Sequence, residues 1–148
     1  MASTEETYRM AAREHLAKAQ DLFENGSYYL AHYLSGLAIE CHLRAWLERE
    51  TGKFERSHDL KLLAEKSHFY RVISAQRLSH FSSVFAIANL RWRSNHRYWP
   101  ERQFFQYMND IKAEYQARGG TWKAKIACAM LGCAYEIVNE GETQWNKK

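Results

Sequence analysis

The sequence predicts an all-α protein, an up-and-down bundle of five or six helices in a single domain spanning residues 1–148, with 141–148 as a flexible tail. Three observations carry that expectation. Apolar residues recur at three- and four-residue spacing in one segment after another. Chain breakers are scarce, with seven Gly and one Pro, and they fall between those segments. No alternating apolar–polar run of strand length appears, nor any internal repeat. With 148 residues and 46% hydrophobic content, the chain is long enough to bury a core without disulfides.

Residues 3–24 form the first expected helix. Ser3 or Thr4 caps it, Glu5 and Glu6 complement its positive end, and Met10, Leu16, Ala19 and Phe23 give it an apolar face. Asn25-Gly26 stops it. The next helix starts at Ser27 and runs to about Glu50, before Thr51-Gly52. Its apolar surface is wide, with Leu30, Leu34, Leu37 and Cys41 on one stripe and Tyr29, Tyr33, Leu43 and Leu47 beside it, so it is expected at the centre of the bundle. Glu40 interrupts this surface. A carboxylate there is costly unless paired, so a cationic partner is expected.

Ser57-His58-Asp59 caps a short helix through Ser67, with Leu60, Leu63 and Ala64 facing inward and His58 merely flanking the cap. A helix over 70–90 carries Val72, Ile73, Leu78, Phe81, Val84, Phe85 and Ala88. Ser94-Asn95 and the Trp99-Pro100 step break the pattern. Helical character returns over 101–117 (Phe104, Phe105, Met108, Ile111, Tyr115) and ends at Gly119-Gly120. Thr121 caps a last helix over 122–140, carrying Ile126, Ala127, Met130, Leu131, Ala134 and Ile137 and stopped by Gly141.

Charge and cysteine usage narrow the function classes. A net charge of +4 and a pI near 9.0 favour anionic partners mildly. Cys41, Cys128 and Cys133 lie in apolar helical runs without a Cys-x-x-Cys pair, a pattern suited to a reducing, cytoplasmic setting. Neither a signal peptide nor an apolar run of membrane-spanning length is present, so no membrane partner is expected. His15, His32, His42, His68 and His80 form no ligand spacing, so no metal or other cofactor is assigned. The stretch Arg91-Trp92-Arg93-Ser94-Asn95-His96-Arg97-Tyr98-Trp99-Pro100, with Arg102 close behind, combines dense positive charge with interleaved aromatics. Its bland reading is a basic surface loop. Arg91 and His96 are five residues apart and converge only if the helix breaks between them, as Ser94-Asn95 suggests.

Three groups of residues resemble the HEPN domain family of small helical nucleotide- and RNA-handling proteins. Gly26-Ser27-Tyr28 followed by Gly36-Leu37-Ala38-Ile39-Glu40-Cys41-His42-Leu43-Arg44-Ala45 is similar to the family's second helix. His58-Asp59-Leu60 opens a short helix followed by Leu62-Leu63. Arg91-x4-His96-x-Tyr98 is similar to the family's Arg-x4–6-His ribonuclease motif, with the tyrosine found in HEPN toxins that pair with nucleotidyltransferase antitoxins. One departure is Trp92, where the family often has a polar residue. The Arg-x-His spacing by itself is weak, and Arg9-x5-His15 matches it in a plain helix.

The resemblance implies a metal-independent endoribonuclease, a homodimeric toxin or defence effector that cleaves RNA through 2′-OH attack. Arg91 would hold the scissile phosphate. His96 would serve as base toward the 2′-OH or as acid toward the departing 5′-oxygen. Glu40, as orienter of Arg91, and Asn95 would support them. Arg93, Arg97, Tyr98 and Trp92 would bind RNA or nucleotide, Tyr98 doubling as a target for nucleotidylation by a nucleotidyltransferase partner. The alternative is a non-catalytic HEPN module that binds a nucleotide or such a partner.

Overall fold

A computed structural model describes residues 2–111 and 122–147; all of its regular structure is helical, with no strand among these residues. The seven α-helices are α1 (Thr4–Glu24), α2 (Tyr28–Thr51), α3 (Leu60–Lys66), α4 (Phe69–Val72), α5 (Leu78–Arg91), α6 (Glu101–Asp110) and α7 (Trp122–Trp145). Short 3-10 turns cover Ala75–Arg77 and Ser94–Tyr98. The expected Tyr115, the Gly119-Gly120 stop and the Thr121 cap lie outside the described residues.

The helix ends follow local chemistry. Ser3 caps α1 by accepting from the Glu6 N–H at 3.2 Å, and Asp59 caps α3 by accepting from the Leu62 N–H at 2.8 Å. Gly52 closes α2 in the left-handed conformation, where a side chain would be strained. The expected helix over 70–90 is two helices. Ile73 and Ser74 are extended, and the bend carries both Phe69 and Ile73 into the core.

α2 is the central helix, packed by α1, α3 and α7. The stripe of Leu30, Leu34, Leu37 and Cys41 is its least buried side, with Leu30 itself exposed. Its fully buried positions instead include Ala31, Ala38 and Ala45, whose small side chains let neighbouring helices approach closely. Met10 is likewise exposed, and α1 buries Ala12, Leu16 and Ala19.

Gly141 does not stop α7. A Cβ there would land inside the His42 imidazole, so this glycine serves close helix–helix approach, and the helix continues through it. The expected flexible tail is helical to Trp145, which is buried edge-on against Trp46 with Arg9 and Arg49 over its ring. The main core runs the length of α2. A second, smaller core of Phe104, Phe105, Met108 and Ile126 gathers α6 and the start of α7 beside the N-terminal half of α2.

Candidate functional site

The basic stretch runs from the last turn of α5 through the Ser94–Tyr98 turn, and α2 pins it from below. The His32 imidazole Nε2 meets the Arg91 carbonyl at 3.1 Å, satisfying an end-of-helix acceptor. The Trp92 indole donates to the Tyr33 carbonyl at 2.9 Å. The Tyr29 hydroxyl reaches the carbonyls of both His96 and Trp99, the latter at 2.9 Å. Gly36 has no Cβ because the Trp92 ring occupies that space. Trp92 is therefore a core residue, 3% exposed and stacked on Tyr33, and its face is closed to a nucleic-acid base. This corrects its expected binding role and accounts for the departure at that position: an indole after the motif arginine anchors the loop to α2.

His96 is fully buried. Its ring lies among Trp99, Phe104 and Tyr107, with centroids 4.6, 5.1 and 5.6 Å away, and His32 is 6.0 Å away. Burial pushes its pKa down to about 4, with the Arg93 charge adding to the effect, so the ring is neutral at pH 7. Nδ1 accepts from the Arg93 N–H at 3.3 Å, which leaves the proton on Nε2, and Nε2 has no partner. Trp99 and Tyr107 cover this ring and also line an open groove of about 600 Å³, together with Arg102 and Asp110.

Arg93, Asn95, Arg97 and Tyr98 are exposed. Arg97 lies over the Tyr98 ring, 4.7 Å from its centroid, and reaches the Tyr33 hydroxyl at 3.4 Å. Tyr98 is 73% exposed, the most open aromatic ring of the stretch. Arg91 is half-buried, at the foot of the loop.

Glu40 has the cationic partner its burial demands, but that partner is Arg44 rather than Arg91. Arg44, one turn along α2, donates through Nε to Glu40 at 3.0 Å. Its other nitrogens donate to the carbonyls of Glu55 (2.6 Å) and Ser57 (3.0 Å), fixing the loop before α3. The i, i+4 spacing puts the pair on one face, whereas Arg91 comes from a different helix end. His58 was missed as a site residue. Its Nδ1 lies 3.0 and 3.1 Å from the two Glu40 oxygens, while half of its side chain stays exposed. It lines a polar cavity of about 470 Å³ with Asn89, Arg93 and Asn95. The signal was present in the sequence as an unexplained buried carboxylate and a histidine beside a helix cap, eighteen residues apart.

Burial raises the Cys41 thiol to about 12 and the Cys133 thiol to about 11, so neither is a thiolate nucleophile at neutral pH. Among the described residues no three His, Cys, Asp or Glu side chains converge as a metal site, and no helix is long and apolar enough to cross a membrane.

The HEPN domain family matches residues 5–98, more than half of the chain. The chain belongs to the HEPN domain family. Comparison with curated proteins and with solved structures gave no match. The matched HEPN segment ends at Tyr98, so it carries both His58 and His96, whereas Trp99, Phe104 and Tyr107, which enclose His96, come from the residues that follow.

Proposed function

We propose that this HEPN domain is a metal-independent endoribonuclease acting in the cytoplasm as a homodimeric toxin or defence effector. The observation that supports it most is the state of His96. A buried imidazole with an unpartnered Nε2 forgoes about 1–3 kcal/mol; His32 and His42 bear the same cost at Nδ1, and what sets His96 apart is the open groove that begins at the Trp99 and Tyr107 rings over it. Arg91 holds the scissile phosphate, and His96 gives a proton to the departing 5′-oxygen. The closed ring is a poor acid, since its depressed pKa comes mainly from burial. Swinging Trp99 away hydrates the ring, removes that cause, and lets the imidazolium form near its ordinary pKa of about 6.5. RNA entering the groove beside Trp99 and Tyr107 supplies the occasion, with Arg102 on its wall and the exposed Arg93 and Arg97 of the preceding turn drawing the strand in.

In EDTA, purified protein should cut RNA, and His96→Ala should abolish cutting while leaving the helical content unchanged. Undiminished cutting by that variant would contradict the assignment. The closed cover over His96 also favours a second reading, a non-catalytic module that binds a nucleotide or a nucleotidyltransferase partner, with the open Tyr98 as the residue such a partner modifies. Tight nucleotide binding without RNA loss supports that reading, and RNA cleavage in EDTA that depends on His96 excludes it.

A further inference from the structure

Cleavage by 2′-OH attack needs a group that accepts a proton as well as one that donates it. His96 has no free acceptor, because Nδ1 takes the Arg93 N–H. His58 has the opposite arrangement. A carboxylate can only accept, so Nδ1 of His58 carries the ring proton and donates it to Glu40, leaving the Nε2 lone pair as the ring's free acceptor. The carboxylate is itself immobile: it is buried, and Arg44 ties it to the loop that bears His58 through the Glu55 and Ser57 carbonyls. A carboxylate behind an imidazole fixes its tautomer and balances the charge that appears when the ring takes a second proton.

The cavity in front of His58 suits a phosphodiester. Arg93 offers a guanidinium, whose Nε also meets the Tyr107 hydroxyl at 3.4 Å beside the groove over His96, and Asn95 offers an amide. The Asn89 side-chain Oδ1 accepts from the Lys61 N–H at 3.3 Å, which leaves the side-chain amide N–H groups as donors. Asp59, the one negative group lining the cavity among the described residues, is engaged as the cap of α3 through Oδ1.

We propose that His58, oriented by Glu40, is the general base of RNA cleavage, a catalytic residue outside the Arg-x4-His motif. This rests on the ribonuclease reading above. Nε2 of His58 takes the 2′-OH proton as the 2′-oxygen bonds to phosphorus. The bond from phosphorus to the 5′-oxygen breaks, its electron pair stays on that oxygen, and the proton from His96 completes a 5′-hydroxyl. The other product is a 2′,3′-cyclic phosphate, and solvent later resets both imidazoles.

Two substrates and two rescues test the roles separately. His58→Ala should lower the cleavage rate about 10²–10⁴-fold, and added free imidazole should restore part of it by entering the vacated space. His58→Asn, which can still donate to Glu40, should be equally slow, so that a packing defect is told apart from a lost base. An RNA with sulfur in place of the scissile 5′-oxygen releases a thiolate that needs no proton. It should rescue His96→Ala and leave His58→Ala slow. Circular dichroism of both His58 variants should match wild type. An active wild type with His58→Ala undiminished, or a loss that neither depends on pH nor responds to imidazole, overturns the base assignment alone. A wild type inert on both substrates overturns the ribonuclease reading and this assignment with it.

Discussion

The two histidines beside the 91–98 loop are opposites. His58 is half exposed, held by a buried carboxylate, and faces a polar cavity. His96 is fully buried, is held only by a 3.3 Å contact from a backbone N–H, and is enclosed by aromatic rings. In the proposed reaction the first acts as it stands, whereas the second must be uncovered first. The difference teaches that a motif's spacing fixes where a side chain starts but not what it faces. That depends on what packs beside it, here a glutamate on α2 in one case and α6 in the other.

The contrast breaks most severely at Glu40. Glu40→Ala leaves Arg44 buried without its carboxylate and should destabilise the fold by about 3–5 kcal/mol, read from urea unfolding; a loss below 1 kcal/mol would mean that the carboxylate does not organise this face. Next is Gly36→Ala, which drives Trp92 off α2. Overpacking of this kind costs about 1–3 kcal/mol, and the indole fluorescence should shift toward that of an exposed tryptophan. Trp99→Ala tests the other face. Hydrating His96 should move its pKa from about 4 toward the ordinary 6.5, followed by NMR of the ring protons, and an unmoved value would refute the cover.

Acid sensitivity sharpens the same contrast. His32 and His42, each pushed down to about 3 mainly by burial, join His96 at about 4 as groups neutral when folded. Each takes up a proton on unfolding once the pH is below its unfolded value. Their stabilising contribution is full above about pH 6.5 and is lost as the pH falls through 4 and then 3. Unfolding free energy should therefore drop with pH in that window, and His96→Gln should lessen the slope. The smallest effect is expected at His68, a left-handed residue with φ of 60°. His68→Gly should raise stability by about 1 kcal/mol, measured by thermal melting.

Much of the bundle was legible because it rests on local chemistry: the Ser3 and Asp59 caps, the Gly52 stop and the wide apolar surface of α2. What was not legible depends on neighbours distant in sequence. Gly141 reads as a stop from its own residue type, and only the His42 ring beside it explains a helix that continues. Trp92 reads as a loop aromatic until Gly36 makes room for it. The site divides in the same way. The Arg91 and His96 spacing could be read directly, and so could the need of Glu40 for a cation. The identity of that cation, and the His58 that shares the carboxylate, required the fold.

The central claim is RNA cleavage by 2′-OH attack, and the ends of the product test it most directly. RNA incubated with the wild-type protein in EDTA, then resolved by mass spectrometry, should yield fragments ending in a 2′,3′-cyclic phosphate with a 5′-hydroxyl on the following piece. His96→Ala should yield none. Intact RNA with the wild type, or fragments that carry a 5′-phosphate, would contradict the account.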